Sequence, residues 1–293
     1  MYFATFVQNG KEAVGVLSKE QKKVTELSSI LGRRVGSLLE FIEEASDRDV
    51  ETIRDYVEKG TDEGASLESV NLLAPIPVLK RNAFCLGLNY KEHVKESQSV
   101  RSLDKLPEHP VFFSKAAIDV IGTGMEIDSH PDLTSEVDYE VELAVVIGKA
   151  GKNIPEESAY DHIFGFTILN DITARDIQRR HFQWFKGKSL DTFTAMGPYL
   201  VHKSVFDLPL ELDVKSFVNG ELRQNSNTKH MIFSIPRIIS ELSQSLTLMP
   251  GDVISTGTPE GVGMGFKPPK YLKRGDVVEC YVEGIGTLRN VVR

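Results

Sequence analysis

A chain of 293 residues has room for one large core, or for a large core beside a small one. Its 41% hydrophobic and 26% charged residues are ordinary for a globular protein and exclude a disordered or fibrous chain. A formal net charge of -8 argues against a protein that grips phosphate backbones, and no run approaches the ~20 apolar residues of a membrane helix, so neither nucleic acid nor membrane is an expected partner.

The opening run MYFATFVQNGKEAVGVL lacks the basic segment, apolar core and small-residue cleavage site of a secretory leader, and a soluble cytoplasmic protein is expected. Leu38, Leu39 and Ile42, then Val50, Ile53 and Val57, recur at three- and four-residue spacing, which predicts amphipathic helices. The polar stretch TDEGASLES and the stiff Ala74-Pro75-Ile76-Pro77 predict a boundary, with a smaller N-terminal α/β accessory domain over 1–75 and a larger domain over 76–293. From Arg81 onward AFCLGL, VDYEVELAVVIG, IFGFTIL, PYLV, DVISTG and DVVECYVEG read as strands between Gly, Pro and Asp turn signals. Helical patterning there is confined to NYKEHVKES, TARDIQRRHFQWF and SIPRIISELSQSL. The expected class is therefore α+β, mainly β, with antiparallel strands joined by turns and a few decorating helices. Cys85 and Cys280 are too few for a disulfide framework and read as reduced core thiols.

In Val137 to Val146 the period of two puts Glu140 and Glu142 on one strand face, ~7 Å apart. Such a pair taken alone is ordinarily a solvated face. Here the strand becomes apolar on both faces, and two like charges entering a core call for a cation or a pair of basic groups. Oxygen-only ligands favour magnesium, manganese or calcium over zinc. Asp171, where FTILND ends a strand, reads equally well as a helix N-cap or as a third ligand.

His93 and Glu96, three apart in NYKEHVKES, share a helix face and are placed to hydrogen-bond; a surface histidine is the ordinary alternative. Lys188 follows a glycine, but Phe182 stands where a phosphate-binding loop needs its first glycine, so that reading fails. The glycine-rich run Thr256 to Gly263 lacks dinucleotide-binding spacing. Neither a Gly-x-Ser-x-Gly elbow nor a His-Glu-x-x-His pair is present.

Six segments, GLNYKEHVKES, FFSKAAIDVIGTG, LTSEVDYEVELAVVIGK, FTILNDITARDIQ, GKSLDTFTAMGPYLV and GDVISTGTPEGVG, together resemble the ordered signature blocks of the fumarylacetoacetate hydrolase family from about residue 81 onward. Residues 1–75 resemble the variable leading domain of its longer members. The resemblance implies a β-rich catalytic domain and a divalent ion, Mg2+ or Mn2+ with Ca2+ possible, on Glu140, Glu142 and Asp171. It implies that His93 and Glu96 lie on a short lid-like helix and activate water, and that Lys188 meets a substrate oxyanion or carboxylate. Arg175 would orient ligands, Gln178 would line the pocket and Thr258 would contact a substrate carboxylate. A homodimer acting on a 1,3-dicarbonyl or 2-oxo acid is implied, of the acylpyruvase, oxaloacetate decarboxylase or 2-hydroxyhepta-2,4-diene-1,7-dioate isomerase type. Hydrolysis of a carbon-carbon bond in an acylpyruvate ranks first, ahead of decarboxylation of an oxaloacetate-like acid and enol-keto isomerisation; a metal-binding interaction protein without catalysis is the alternative of another class.

Overall fold

Asn9 and Gly10, with φ of 50° and 74°, form the two-residue turn between β1 (Tyr2–Gln8) and β2 (Lys11–Leu17), the backbone geometry that matches strand twist. The computed structural model that shows this hairpin describes residues 1–60, 63–98, 106–117 and 119–293. The chain continues through β3 (Lys23–Glu26), α1 (Leu27–Leu31), α2 (Leu38–Glu44), α3 (Asp47–Glu58), β4 (Ala65–Ser66) and β5 (Asn71–Leu72). Ser37 caps α2 by accepting the Glu40 amide, and Ser46 with Asp49 forms a reciprocal capping box on α3. The expected apolar stripes are real: Leu38, Ile42 and Ile53 are buried in one cluster with Phe3, Val14 and Val16 of the first hairpin.

The second part runs β6 (Ala83–Gly87), α4 (Lys91–Gln98), β7 (Val111–Lys115), β8 (Glu126–Ile127), β9 (Val137–Asp138), β10 (Val141–Ile147) and β11 (Ile163–Asp171). Then come β12 (Thr173–Ala174), α5 (Arg175–Arg180), α6 (Phe185–Lys188), β13 (Thr194–His202), β14 (Asp213–Val218) and β15 (Glu221–Asn227). Helix α7 (Ile235–Leu242) and strands β16 (Val253–Ser255), β17 (Val277–Val282) and β18 (Gly286–Val292) complete it. Among the described residues an 11-stranded sheet has the order β4-β3-β2-β1-β13-β11-β10-β16-β6-β7, with β5 also on β1. A 5-stranded sheet, β15-β14-β17-β18-β8, packs on it through β14, β17 and β18. The fold is mixed and strand-rich, as expected. Two pairs, β16 with β6 and β18 with β8, are parallel rather than antiparallel.

Alternation along β10 explains its apolar character. Leu143, Val145 and Ile147 enter the core between the sheets, while Ala144 and Val146 enter the core under α2 and α3. Residues 1–75 are joined to the rest by strand pairing, because β1 lies on β13 with Tyr2 opposite Val201. The strand expected to run unbroken from Val137 to Val146 is interrupted at Tyr139 and Glu140. There the Asp138 carboxylate accepts the Tyr139 amide, and β9 leaves the large sheet to pair with β12. Cys85 and Cys280 are buried free thiols, as expected.

His202, at the end of β13, is 8% exposed, packs edge-on against Phe164, and accepts the Ser204 amide at Nδ1 over 3.2 Å. Burial, with nearby cations including Lys203 and Arg54, pushes its pKa down to about 4. The unfolded chain, with an ordinary imidazole near 6.5, binds a proton that the folded chain refuses between those values. The His202 contribution is thus complete above pH ~6.5 and shrinks as pH falls toward 4. Urea unfolding at pH 7 and pH 5 should show wild type losing about 2 kcal/mol through this residue, and His202→Asn a correspondingly shallower loss. Equal pH dependence in both proteins would refute the assignment.

Candidate active site

Glu140 immediately precedes β10 and Asp171 ends β11, so antiparallel pairing of these strands brings the two carboxylates together. The join is held by Glu140 N–H to Asn170 Oδ1 (3.0 Å) and Asp171 N–H to Glu140 O (2.9 Å). Glu142 follows within β10. All three are at least nine-tenths buried, and one carboxylate oxygen from each lies within 4.8 Å of the others. The N-cap alternative for Asp171 is removed, since α5 begins only at Arg175, after β12.

Three buried cations meet this cluster. Lys188 Nζ donates to Glu140 Oε2 (2.6 Å) and Asp171 Oδ2 (2.7 Å). Arg175 Nη2 lies 2.6 Å from Glu140 Oε1, its Nε donates to Asp138 Oδ2 (2.8 Å), and its Nη1 donates to Gln178 Oε1 (3.2 Å). Lys115 Nζ lies 2.8 Å from Asp171 Oδ1 and also donates to the carbonyls of Ile172 and Lys188. Burial would raise the Glu140 carboxyl, but Lys188 and Arg175 outweigh it and hold it below the usual carboxylate range. Glu142 behaves oppositely: burial, then Asp171 and Glu140, push it well above that range. Its partners are the Gly257 amide (2.8 Å) and the Ser255 hydroxyl, neither of them charged. Among the described residues no cation is bonded directly to Glu142, and three oxygen donors would suit Mg2+ or Mn2+, or the larger Ca2+.

The cluster closes the inner end of a cavity of about 40 Å3. His93, Glu140, Glu142, Arg175, Gln178, Lys188 and Thr258 line it, together with an apolar wall of Leu86, Leu88, Phe113, Trp184 and Met264. His93 is 6% exposed and its Nδ1 lies 3.2 Å from Glu96 Oε2, the contact their spacing predicts on α4. Glu96 stands behind the imidazole and accepts the Gly261 amide (3.1 Å), docking α4 on the glycine-rich run. That approach requires glycine at Gly265, where a Cβ would fall 1.8 Å from Glu96 Oε1. The Lys188 ammonium is engaged by the carboxylates. The Thr258 hydroxyl donates to Val141 O (2.9 Å) and accepts from Gln224 (2.8 Å), pinning the loop to β10.

Two residues at the centre of this arrangement escaped the sequence reading. Lys115 sits in the mostly apolar FFSKAA, where a lysine entering a core is a signal for a buried carboxylate. Asp138 is fully buried and accepts from the amides of Tyr139 (2.9 Å), Gly263 (2.6 Å) and Met264 (3.0 Å) as well as from Arg175, so it ties the glycine-rich loop to the guanidinium that holds Glu140. Its sequence signal is its place in the alternating acids Glu136, Asp138, Glu140 and Glu142.

Oxygen ligands converging at the closed end of a narrow cavity are what a divalent-metal enzyme acting on a small oxygen-rich molecule requires. Comparison with known proteins narrows that class: residues 82–293 match the family described as Fumarylacetoacetate (FAA) hydrolase C-terminal, and the chain is an enzyme belonging to the fumarylacetoacetate hydrolase family. It is 49% identical over 288 residues to oxaloacetate tautomerase YisK of Bacillus subtilis (strain 168), covering 96% of this chain and 93% of that protein. Its fold is similar to that of a fumarylacetoacetate hydrolase from the psychrophilic Exiguobacterium antarcticum, with a TM-score of 0.83 and 40% identity, covering 100% of this chain and 99% of that one. It is also similar to maleylpyruvate hydrolase from Sphingobium sp. SYK-6 in complex with manganese (II) ion and pyruvate, with a TM-score of 0.76 and 26% identity, covering 100% and 98% of the two chains. Among the described residues no helix is long and apolar enough to cross a membrane.

Glu142→Gln keeps the volume of the side chain and its hydrogen bonds but removes the charge of a candidate ligand. Calorimetry with Mn2+ should show affinity reduced on the order of 100-fold, with melting in EDTA close to wild type; unchanged Mn2+ affinity would exclude Glu142 as a ligand. Asp138→Ala leaves two loop amides and part of the Arg175 charge without a partner, and should cost about 3–5 kcal/mol in urea unfolding.

Proposed function

We propose that this enzyme catalyses enol-keto isomerisation of a small dicarboxylic 2-oxo acid, oxaloacetate being the type, at a divalent ion held by Glu140, Glu142 and Asp171. The observation that carries this reading is one imidazole, His93, oriented by Glu96 and facing a narrow cavity beside the carboxylate cluster. Moving a proton between an enol oxygen and the neighbouring carbon needs one well-placed proton carrier and breaks no carbon-carbon bond. The tautomerase name of the Bacillus relative supports the same choice. Acylpyruvate hydrolysis, ranked first from the sequence, needs an attacking water and space for a departing acyl group besides.

Glu96 takes Nδ1 of His93, which leaves Nε2 to the cavity. Nε2 takes the enol hydroxyl proton and returns it to the adjacent carbon, so no proton is gained or lost overall. A divalent ion held by Glu140, Glu142 and Asp171 would supply Lewis-acid polarisation of a substrate oxygen. Lys188 and Lys115 fix the orientation of Asp171, and Lys188 and Arg175 keep Glu140 ionised and fixed in orientation. Gln178, with Oε1 held by Arg175, offers its amide nitrogen to the substrate carboxylate, and the Thr258 segment closes the opposite side. The Leu86, Phe113, Trp184 and Met264 wall limits water. A cytoplasmic homodimer belongs to the same proposal.

The test is the loss of enol absorbance from freshly dissolved enol-oxaloacetate with Mg2+ or Mn2+. Wild type should accelerate ketonisation, and His93→Gln should lower kcat about 10²–10⁴-fold while Mn2+ binding persists. Faster release of pyruvate from acylpyruvates than ketonisation would replace this reading with hydrolysis.

A further inference from the structure

Helix α5 carries Arg175, Gln178 and Arg179 at positions i, i+3 and i+4, which puts all three on one face, and all three line the cavity. The two guanidiniums differ in circumstance. Arg175 is 2% exposed, with Nε on Asp138, Nη2 against Glu140 and Nη1 on Gln178. Arg179 stands one helical turn along, ~5 Å farther by helix pitch, and its side chain is 39% exposed. One arginine therefore belongs to the carboxylate end of the cavity and the other to its mouth.

Arg179 is held in place there. Its Nη2 lies 2.6 Å from Glu136 Oε2, and Tyr271 is a second hydrogen-bond partner. Glu136 is itself fixed, since its amide bonds Thr134 Oγ1 (3.1 Å) and its carbonyl accepts the Arg175 amide (3.0 Å). A guanidinium has five N–H donors in a rigid fork, more than these two partners use, and the fork matches a carboxylate bidentately. The charge along the cavity is thus ordered, with ligand carboxylates at the inner end and a pre-oriented cation at the outer end.

We infer that Arg179 is a specificity-determining residue that receives the far carboxylate of a dicarboxylic substrate whose 2-oxo acid end lies at the Glu140, Glu142 and Asp171 cluster. This rests on the 2-oxo acid reading above, and it adds a selection rule: four-carbon diacids are taken in preference to monocarboxylic acids of the same length. Arg179 takes no part in the proton transfer. Its removal should weaken binding and leave the chemistry of bound substrate intact.

A pair of unreactive ligands isolates the effect, because malate and 2-hydroxybutanoate share one skeleton and differ by a carboxylate in place of a methyl group. Calorimetry on the Mn2+-loaded full-length protein should give wild type about tenfold or greater preference for malate. Arg179→Gln should abolish that preference and leave oxalate, which has no distant carboxylate, bound as in wild type. Arg179→Lys, with charge but no fork, should restore part of it. A wild type without preference for malate, or a preference that survives Arg179→Gln, overturns the inference. Since no turnover is needed, failure of the isomerase assay with the malate preference intact would count against the reaction alone.

Discussion

Neutralisation of buried acids by buried bases is the interaction on which the rest of this molecule depends. Glu140 and Asp171 are drawn together by β10 and β11, and Lys188 bridges them while Arg175 and Lys115 grip their outer oxygens. Such an arrangement is stable only when every charge keeps its partners, because a single deletion strands an ion in a low-dielectric interior. The elements that carry these bases are thereby tied to one point: α5 through Arg175, α6 through Lys188 and β7 through Lys115. Glu142 is the exception: among the described residues it has hydrogen bonds but no ion pair, and that imbalance is one a bound cation would relieve.

The same economy runs through the loop over the cavity. Residues Gly261 to Met264 are held from two directions, by Glu96 at the Gly261 amide and by Asp138 at the amides of Gly263 and Met264. Asp138 reaches the carboxylate cluster through Arg175, and Glu96 reaches the cavity through His93. Placement of the imidazole and placement of the carboxylates are therefore coupled through one short stretch of backbone.

Much of this was legible in the sequence where the signal is local. The i, i+3 spacing foretold the His93–Glu96 contact, the three- and four-residue periodicities foretold α2 and α3, and Glu140, Glu142 and Asp171 stood out as acids in apolar strands. What escaped needed partners far along the chain. Lys115 and Asp138 acquire meaning only when β7 and β9 come beside residues from other segments. The break at Tyr139 and Glu140 depends on β9 choosing β12, which no alternation of side chains encodes. Arg179 carries no local signal in the sequence and is set apart only by the packing of its helix against the cavity.

The pairing of β1 with β13 bears on how the chain can be divided. The β13 strand lies beside β11, which ends in Asp171, so the N-terminal hairpin is two strands from the carboxylate cluster. Cutting the chain after residue 75 would bare the backbone donors and acceptors of β13 near Leu200 and Val201, on a strand with few charges to repel a visitor. The leading segment thus serves as a sealing strip on the sheet, and a shortened protein would be drawn toward edge-to-edge association while the side chains lining its cavity were still all present.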